Sequence, residues 1–142
     1  MSNTIQGFLI FFLILVSCDS NKNKVKVEQE PLMYKSSEMA LLMRKMYEVN
    51  KVVRIQIISK DSLLSFPEEF SNIHTAILTD PADRNNEFDS ISKQFLLQQK
   101  AAFTSNSDSA RTHFNNSINS CISCHETRCV GPLPIIKKLI IP

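Results

Sequence analysis

Apolar positions recur along most of this chain at the three- and four-residue spacing that lines one face of a helix. Ser36 or Ser37 is suited to cap a first helix, with Glu38 in its opening turn. From there to about Ser59, the set Met39, Leu42, Met43, Met46, Val49, Val53 and Ile57 keeps helical register until Lys60-Asp61-Ser62 breaks it. Pro67, followed by Glu68 and Glu69, suits the start of a second helix. That helix is expected to present Phe70, Ile73, His74 and Ile77 on one face and to stop at Thr79-Asp80-Pro81. A third is expected from about Asn86 to Phe103, with Phe88, Ile91, Phe95 and Ala102 inward. The polar turn Ser105-Asn106-Ser107-Asp108 can cap a fourth, whose inner face carries Ala110, Phe114, Ile118, Cys121, Cys124 and His125. Gly131, Pro132 and Pro134 end it. Four amphipathic helices with short loops predict an all-α fold, an antiparallel four-helix bundle, over residues 36–142. The closing run Ile135 to Ile141 is expected to pack on that bundle.

The first part of the chain reads differently. Phe8 to Val16 is an unbroken apolar run of nine residues, the length of a signal-peptide core and too short to span a bilayer as a helix. It ends in Leu15-Val16-Ser17-Cys18, which resembles the lipobox of bacterial lipoproteins. The resemblance implies a signal peptide over 1–17, cleavage before Cys18, acylation of the Cys18 thiol, and a lipid anchor holding the protein to a membrane. The segment 19–35 is polar and charge-mixed, and reads as a flexible tether between lipid and domain. The expected location is the bacterial cell envelope, on the periplasmic side or the cell surface.

Composition narrows the classes. With 16 basic and 14 acidic residues the chain is near neutral, so nothing suggests a nucleic-acid surface. Two glycines and no tryptophan argue against a loop-rich or sandwich design. No acid, base or nucleophile stands out as catalytic, and an enzyme is not expected.

The chemistry lies in Cys121-Ile122-Ser123-Cys124-His125. Cys-x-x-Cys-His is the attachment pattern of a c-type haem, with two thiols for the vinyl groups and an imidazole for the iron. At about 100° per residue on a helix, the three side chains share one side. The other readings of these residues are a redox dithiol, a zinc half-site or a plain disulfide. A redox dithiol should follow a strand in a βαβ setting, and zinc needs four ligands.

A four-helix domain with one such motif near the end of its last helix is similar to the class II cytochromes c, the cytochrome c-prime type. The resemblance covers about 36–130 and implies one covalent haem c (heme c) per chain, thioether bonds at Cys121 and Cys124, and His125 as the proximal iron ligand. The sixth position decides the chemistry. Met39, Met43 and Met46 stand on the core side of the first helix, and a thioether ligand there gives a low-spin iron of raised potential. Family members that bind methionine take it from the first helix, which favours Met43 and then Met46 as distal ligand. His74 is the rival, while His113 lies too far along the fourth helix to share an iron with His125. Arg44, Lys45, Arg54 and Arg111 could meet a haem propionate or simply form a solvated face. Cys129 could be a buried free thiol or could pair between molecules, which leaves a homodimer open.

The expected function is a monohaem c-type cytochrome, a membrane-anchored electron carrier serving a redox partner protein of the envelope. Two other readings stand beside it. A five-coordinate haem protein would bind or sense nitric oxide or carbon monoxide, and a haem-free structural lipoprotein would use Cys121 and Cys124 only as a disulfide.

Overall fold

The computed structural model describes residues 35–142, so the apolar run, Cys18 and the tether lie outside the described residues. Within them the chain is all-helical, with no strand. Three long helices make the frame: α1 (Glu38–Ser59), α2 (Asn86–Thr104) and α3 (Ser107–Arg128). No helix among the described residues is long and apolar enough to cross a membrane.

Each long helix starts where the sequence supplies a cap. Ser37, Asn85 and Asn106 offer side-chain oxygens to the backbone N–H groups of Ala40, Phe88 and Ser109, satisfying donors that the first helical turn leaves free. At the far end of α1, Lys60 takes the left-handed conformation (φ 58°) and Asp61 donates back to the Gln56 carbonyl at 2.9 Å, which closes the helix. α2 and α3 form an antiparallel hairpin across Ser105 and Asn106. Its open end is tied by Arg128, in the last turn of α3, which reaches Asn85 and Glu87 at the start of α2. α1 lies against this hairpin, and the two are joined in the interior by the buried Gln99 amide donating to Asn50 Oδ1 at 2.7 Å.

The expected second helix does not form as a long helix. The chain instead makes a seven-residue 3₁₀ helix, Glu68–His74, and a second short one, Pro81–Asp83. The buried residues of the segment show why. Phe70, Ile73 and Ala76 recur every third residue, the 3₁₀ repeat, whereas Ile77, expected on the inner face, is exposed. The carbonyls that would continue an α-helix are taken by other partners. Arg84 donates from Nη1 to the His74 carbonyl and from Nη2 to the Ala76 carbonyl, both at 2.6 Å. Ile77 is held by α1, its N–H donating to Glu38 Oε2 and its carbonyl accepting from Met39.

After α3 the tail forms a four-residue helix, α4 (Leu133–Ile136), and a 3₁₀ turn, Lys137–Leu139. Ile136, Leu139 and Ile141 are buried, so the tail packs on the body as expected. Its end is latched by Asn115, which donates to the Ile141 carbonyl at 2.8 Å and accepts from the Ile141 N–H at 3.0 Å.

Candidate functional site

The last two turns of α3 carry the motif. Ala110, Phe114, Ser117, Ile118 and Cys121 share one helical face, and the first four are buried. That face ends in Cys121, Cys124 and His125, each half-buried. Both thiols are free and lie against an apolar cluster of Met39, Met46, Phe70, Ile73, Ala76, Phe88, Phe95 and Leu96. Met43 stands half-buried on the rim of the same cluster. The structure therefore brings the two cysteines and all three methionines of α1 to one apolar region, although about 80 residues separate them in sequence.

His125 is oriented by its own chain. Its Nδ1 donates to the Cys129 carbonyl at 2.8 Å, one turn further on. A carbonyl can only accept, so in the neutral ring Nδ1 carries the proton and Nε2 keeps the lone pair. This is the arrangement by which a backbone carbonyl sets the tautomer of a metal-binding histidine.

Burial pushes the Cys121 thiol up to about 12, with the neighbouring Cys124 adding to the effect. Cys124 is also raised by burial, against an opposing pull from the Arg128 guanidinium. Both thiols are thus protonated at neutral pH. A redox dithiol works through a depressed thiol, the opposite direction. Among the described residues, no three His, Cys, Asp or Glu side chains gather into a metal-binding group, and Cys129 is exposed where the other two thiols are half-buried.

Arg128 is the residue that sequence reading missed. Its side chain is only 11 % exposed and holds the start of α2 through the Asp83 carbonyl (3.1 Å), Asn85 Oδ1 (2.9 Å) and Glu87 Oε2 (2.8 Å). A carboxylate in the first turn of one helix and a cation in the last turn of the next was the available signal, since an antiparallel hairpin must bring them together. The buried pair Asn50 and Gln99 was also missed. Asn50 falls in step with Met43, Met46 and Val53 on the inner face of α1, a polar residue at an apolar position.

The other candidates make contacts of their own, while the buried Nε of Arg54 has no hydrogen-bond partner among the described residues. His74 is half-buried, with Nδ1 3.3 Å from Ser92 Oγ. His113 is half-buried and donates from Nδ1 to Gln98 Oε1 at 3.0 Å. Arg44 bonds Ser36, Lys45 pairs with Glu69, and Arg111 holds the Pro142 carbonyl.

No protein family, curated protein or solved structure matches this chain.

Proposed function

We propose that the chain is a monohaem c-type cytochrome, lipid-anchored through Cys18 and carrying electrons at the bacterial cell envelope. One observation carries the reading. Two free thiols and an imidazole whose Nδ1 is held by the Cys129 carbonyl stand together at the end of α3, beside a methionine-rich apolar cluster. Two thiols with one adjacent imidazole make a donor set that fits a c-type haem better than a four-ligand zinc site.

In this reading Cys121 and Cys124 hold the haem through thioether bonds and His125 Nε2 binds its iron. Met43 is the first candidate for the distal side, because it shares the cluster rim with both cysteines, and Met46 is the second. The haem, when bound, supplies one-electron chemistry at its iron. The chain's own part is to fix the His125 ring through the Cys129 carbonyl, keep water out with Phe70, Phe88 and Phe95, and offer a thioether. The three long helices and the 3₁₀ segment together serve as the four elements of a bundle around the group.

The test is the absorption spectrum of protein matured with haem-attachment machinery, in both oxidation states. A low-spin ferric haem with a sulfur-to-iron band is expected. His125→Ala should keep the covalent haem and change its spin state, and Met43→Ala should abolish the sulfur band. A high-spin wild-type spectrum would replace the carrier reading with a five-coordinate haem protein that binds nitric oxide or carbon monoxide. Colourless protein would leave a haem-free lipoprotein.

A further inference from the structure

The outer face of α1 is not that of a solvated helix. Val52, Ile55 and Ile58 follow one another every third residue and are 47, 60 and 46 % exposed, and Leu41 further up is 56 % exposed. At about 100° per residue these four fall within one arc of about 120°. The exposed face of α3 contrasts with it, carrying Arg111, Thr112, Asn116, Asn119, Ser123 and Glu126. Single exposed apolar residues need no explanation, but a stripe along one helix marks a surface that is covered by something. The polar residues within the arc are mainly cationic. Arg44 and Lys51 lie there with Glu48 as the one carboxylate and Lys45 borders it, and the Lys51–Glu48 and Lys45–Glu69 pairs are exposed and easily exchanged for other anions. Apolar side chains among basic ones are what a helix lying in the headgroup boundary of an anionic bilayer presents.

Chain length favours the same occupant. α1 is the first element among the described residues and begins about 20 residues beyond Cys18, so even fully extended chain keeps the helix within about 70 Å of the lipid. Such tethering raises the local concentration of membrane to the millimolar range, where a shallow apolar contact too weak to hold alone becomes occupied.

We propose that the Leu41–Ile58 face of α1 docks on the bilayer that holds the lipid of Cys18, so that the body lies on the membrane rather than standing away from it. This rests on the lipoprotein reading. Docking leaves α2, α3 and the tail facing away from the lipid, open to a soluble partner.

The chain has no tryptophan, so one introduced indole is an unambiguous reporter. The haem-matured, lipidated protein is incorporated into phosphatidylcholine–phosphatidylglycerol vesicles as Ile55→Trp and, for comparison, as Leu97→Trp on the exposed side of α2. Emission is read with and without brominated acyl chains, as a ratio that cancels quenching by the haem. The proposal expects at least a twofold loss for Ile55→Trp and no change for Leu97→Trp. Equal ratios in the two variants, with flotation showing the protein on the vesicles, would overturn docking and leave the anchor intact. A concentration-dependent blue shift of Ile55→Trp without vesicles, and no bromine effect, would overturn it in favour of a second copy of the chain. Intact mass of the same sample reads the acyl groups on Cys18, and their absence would remove the anchor and the docking together.

Discussion

The two apolar clusters of the body draw on the same three helices but are closed by different means. One combines Val53 and Ile57 of α1 with Ala102 and Phe103 of α2 and Ala110, Phe114 and Ile118 of α3. It is sealed by Ile136, Leu139 and Ile141 of the tail, which Asn115 and Arg111 hold by hydrogen bonds. The other combines Met39 and Met46 with Phe88, Phe95 and Leu96, and is sealed by Phe70, Ile73 and Ala76 of the 3₁₀ segment. Branched aliphatics and a latched tail favour one fixed packing. Methionine adapts to irregular space, and short 3₁₀ turns have poorer hydrogen-bond geometry than α-helix. The first cluster is a scaffold, and the second, which meets Cys124, is suited to accept a new occupant. Cys121 packs against both and joins them.

The sharpest way to break this comparison is to cut one large side chain from each cluster. Phe114 and Phe70 are both fully buried. Phe114→Ala should cost about 4 kcal/mol, near the upper part of the range for such truncations, because helices on all sides prevent collapse into the cavity. Phe70→Ala should cost about 3 kcal/mol, since the 3₁₀ segment can settle inward. Denaturant unfolding of the two variants checks the order, and equal or reversed costs would remove the distinction.

The thiols sharpen it through pH. In chain without haem, folded Cys121 keeps its proton until about 12, while the unfolded thiol loses it near 9. The folded state then holds more protons than the unfolded one, so this contribution is fully present below pH 9 and is lost as pH rises toward 12. Stability of the haem-free protein should fall across that window. Cys121→Ser should flatten the fall, and so should haem attachment, because a thioether does not titrate.

Arg128→Ala should come next. It removes charge-assisted bonds to Asp83, Asn85 and Glu87 that join the motif's end of α3 to the start of α2, and about 2 kcal/mol is expected. Hydrogen exchange should quicken at the start of α2 and leave the tail unchanged. Asn115→Ala should cost less, about 1 kcal/mol, with the reverse pattern: exchange quickens at Ile141 and the motif region is unaffected.

How far the sequence could be read differed between these same regions. The spans of α1, α2 and α3 were legible from apolar spacing and from caps at Ser37, Asn85 and Asn106, because those signals are local. From Pro67 to Thr79 apolar spacing predicts a second α-helix where the chain forms the 3₁₀ helix Glu68–His74. The segment's apolar residues fit both a 3.6 and a 3.0 repeat over so short a stretch, and the choice was made by Arg84 and Glu38, which take its backbone groups from outside. Cys121, Cys124 and His125 could be picked out by spacing alone. The carbonyl that orients His125 could not, because it belongs to backbone beyond the helix end. The meeting of Met39, Met43 and Met46 with the cysteines followed from inner-face positions on two helices. Arg128 and the Asn50–Gln99 pair depend on how the helices are matched along their length, which no single segment encodes.

The central claim is that Cys121 and Cys124 carry a haem, and the intact mass of the mature protein after denaturation tests it most directly. Protein produced with haem-attachment machinery should retain the mass of one haem, and Cys121→Ala with Cys124→Ala should lose it. A wild-type chain at its bare polypeptide mass, with Cys121 and Cys124 still free or joined to each other, would contradict the account.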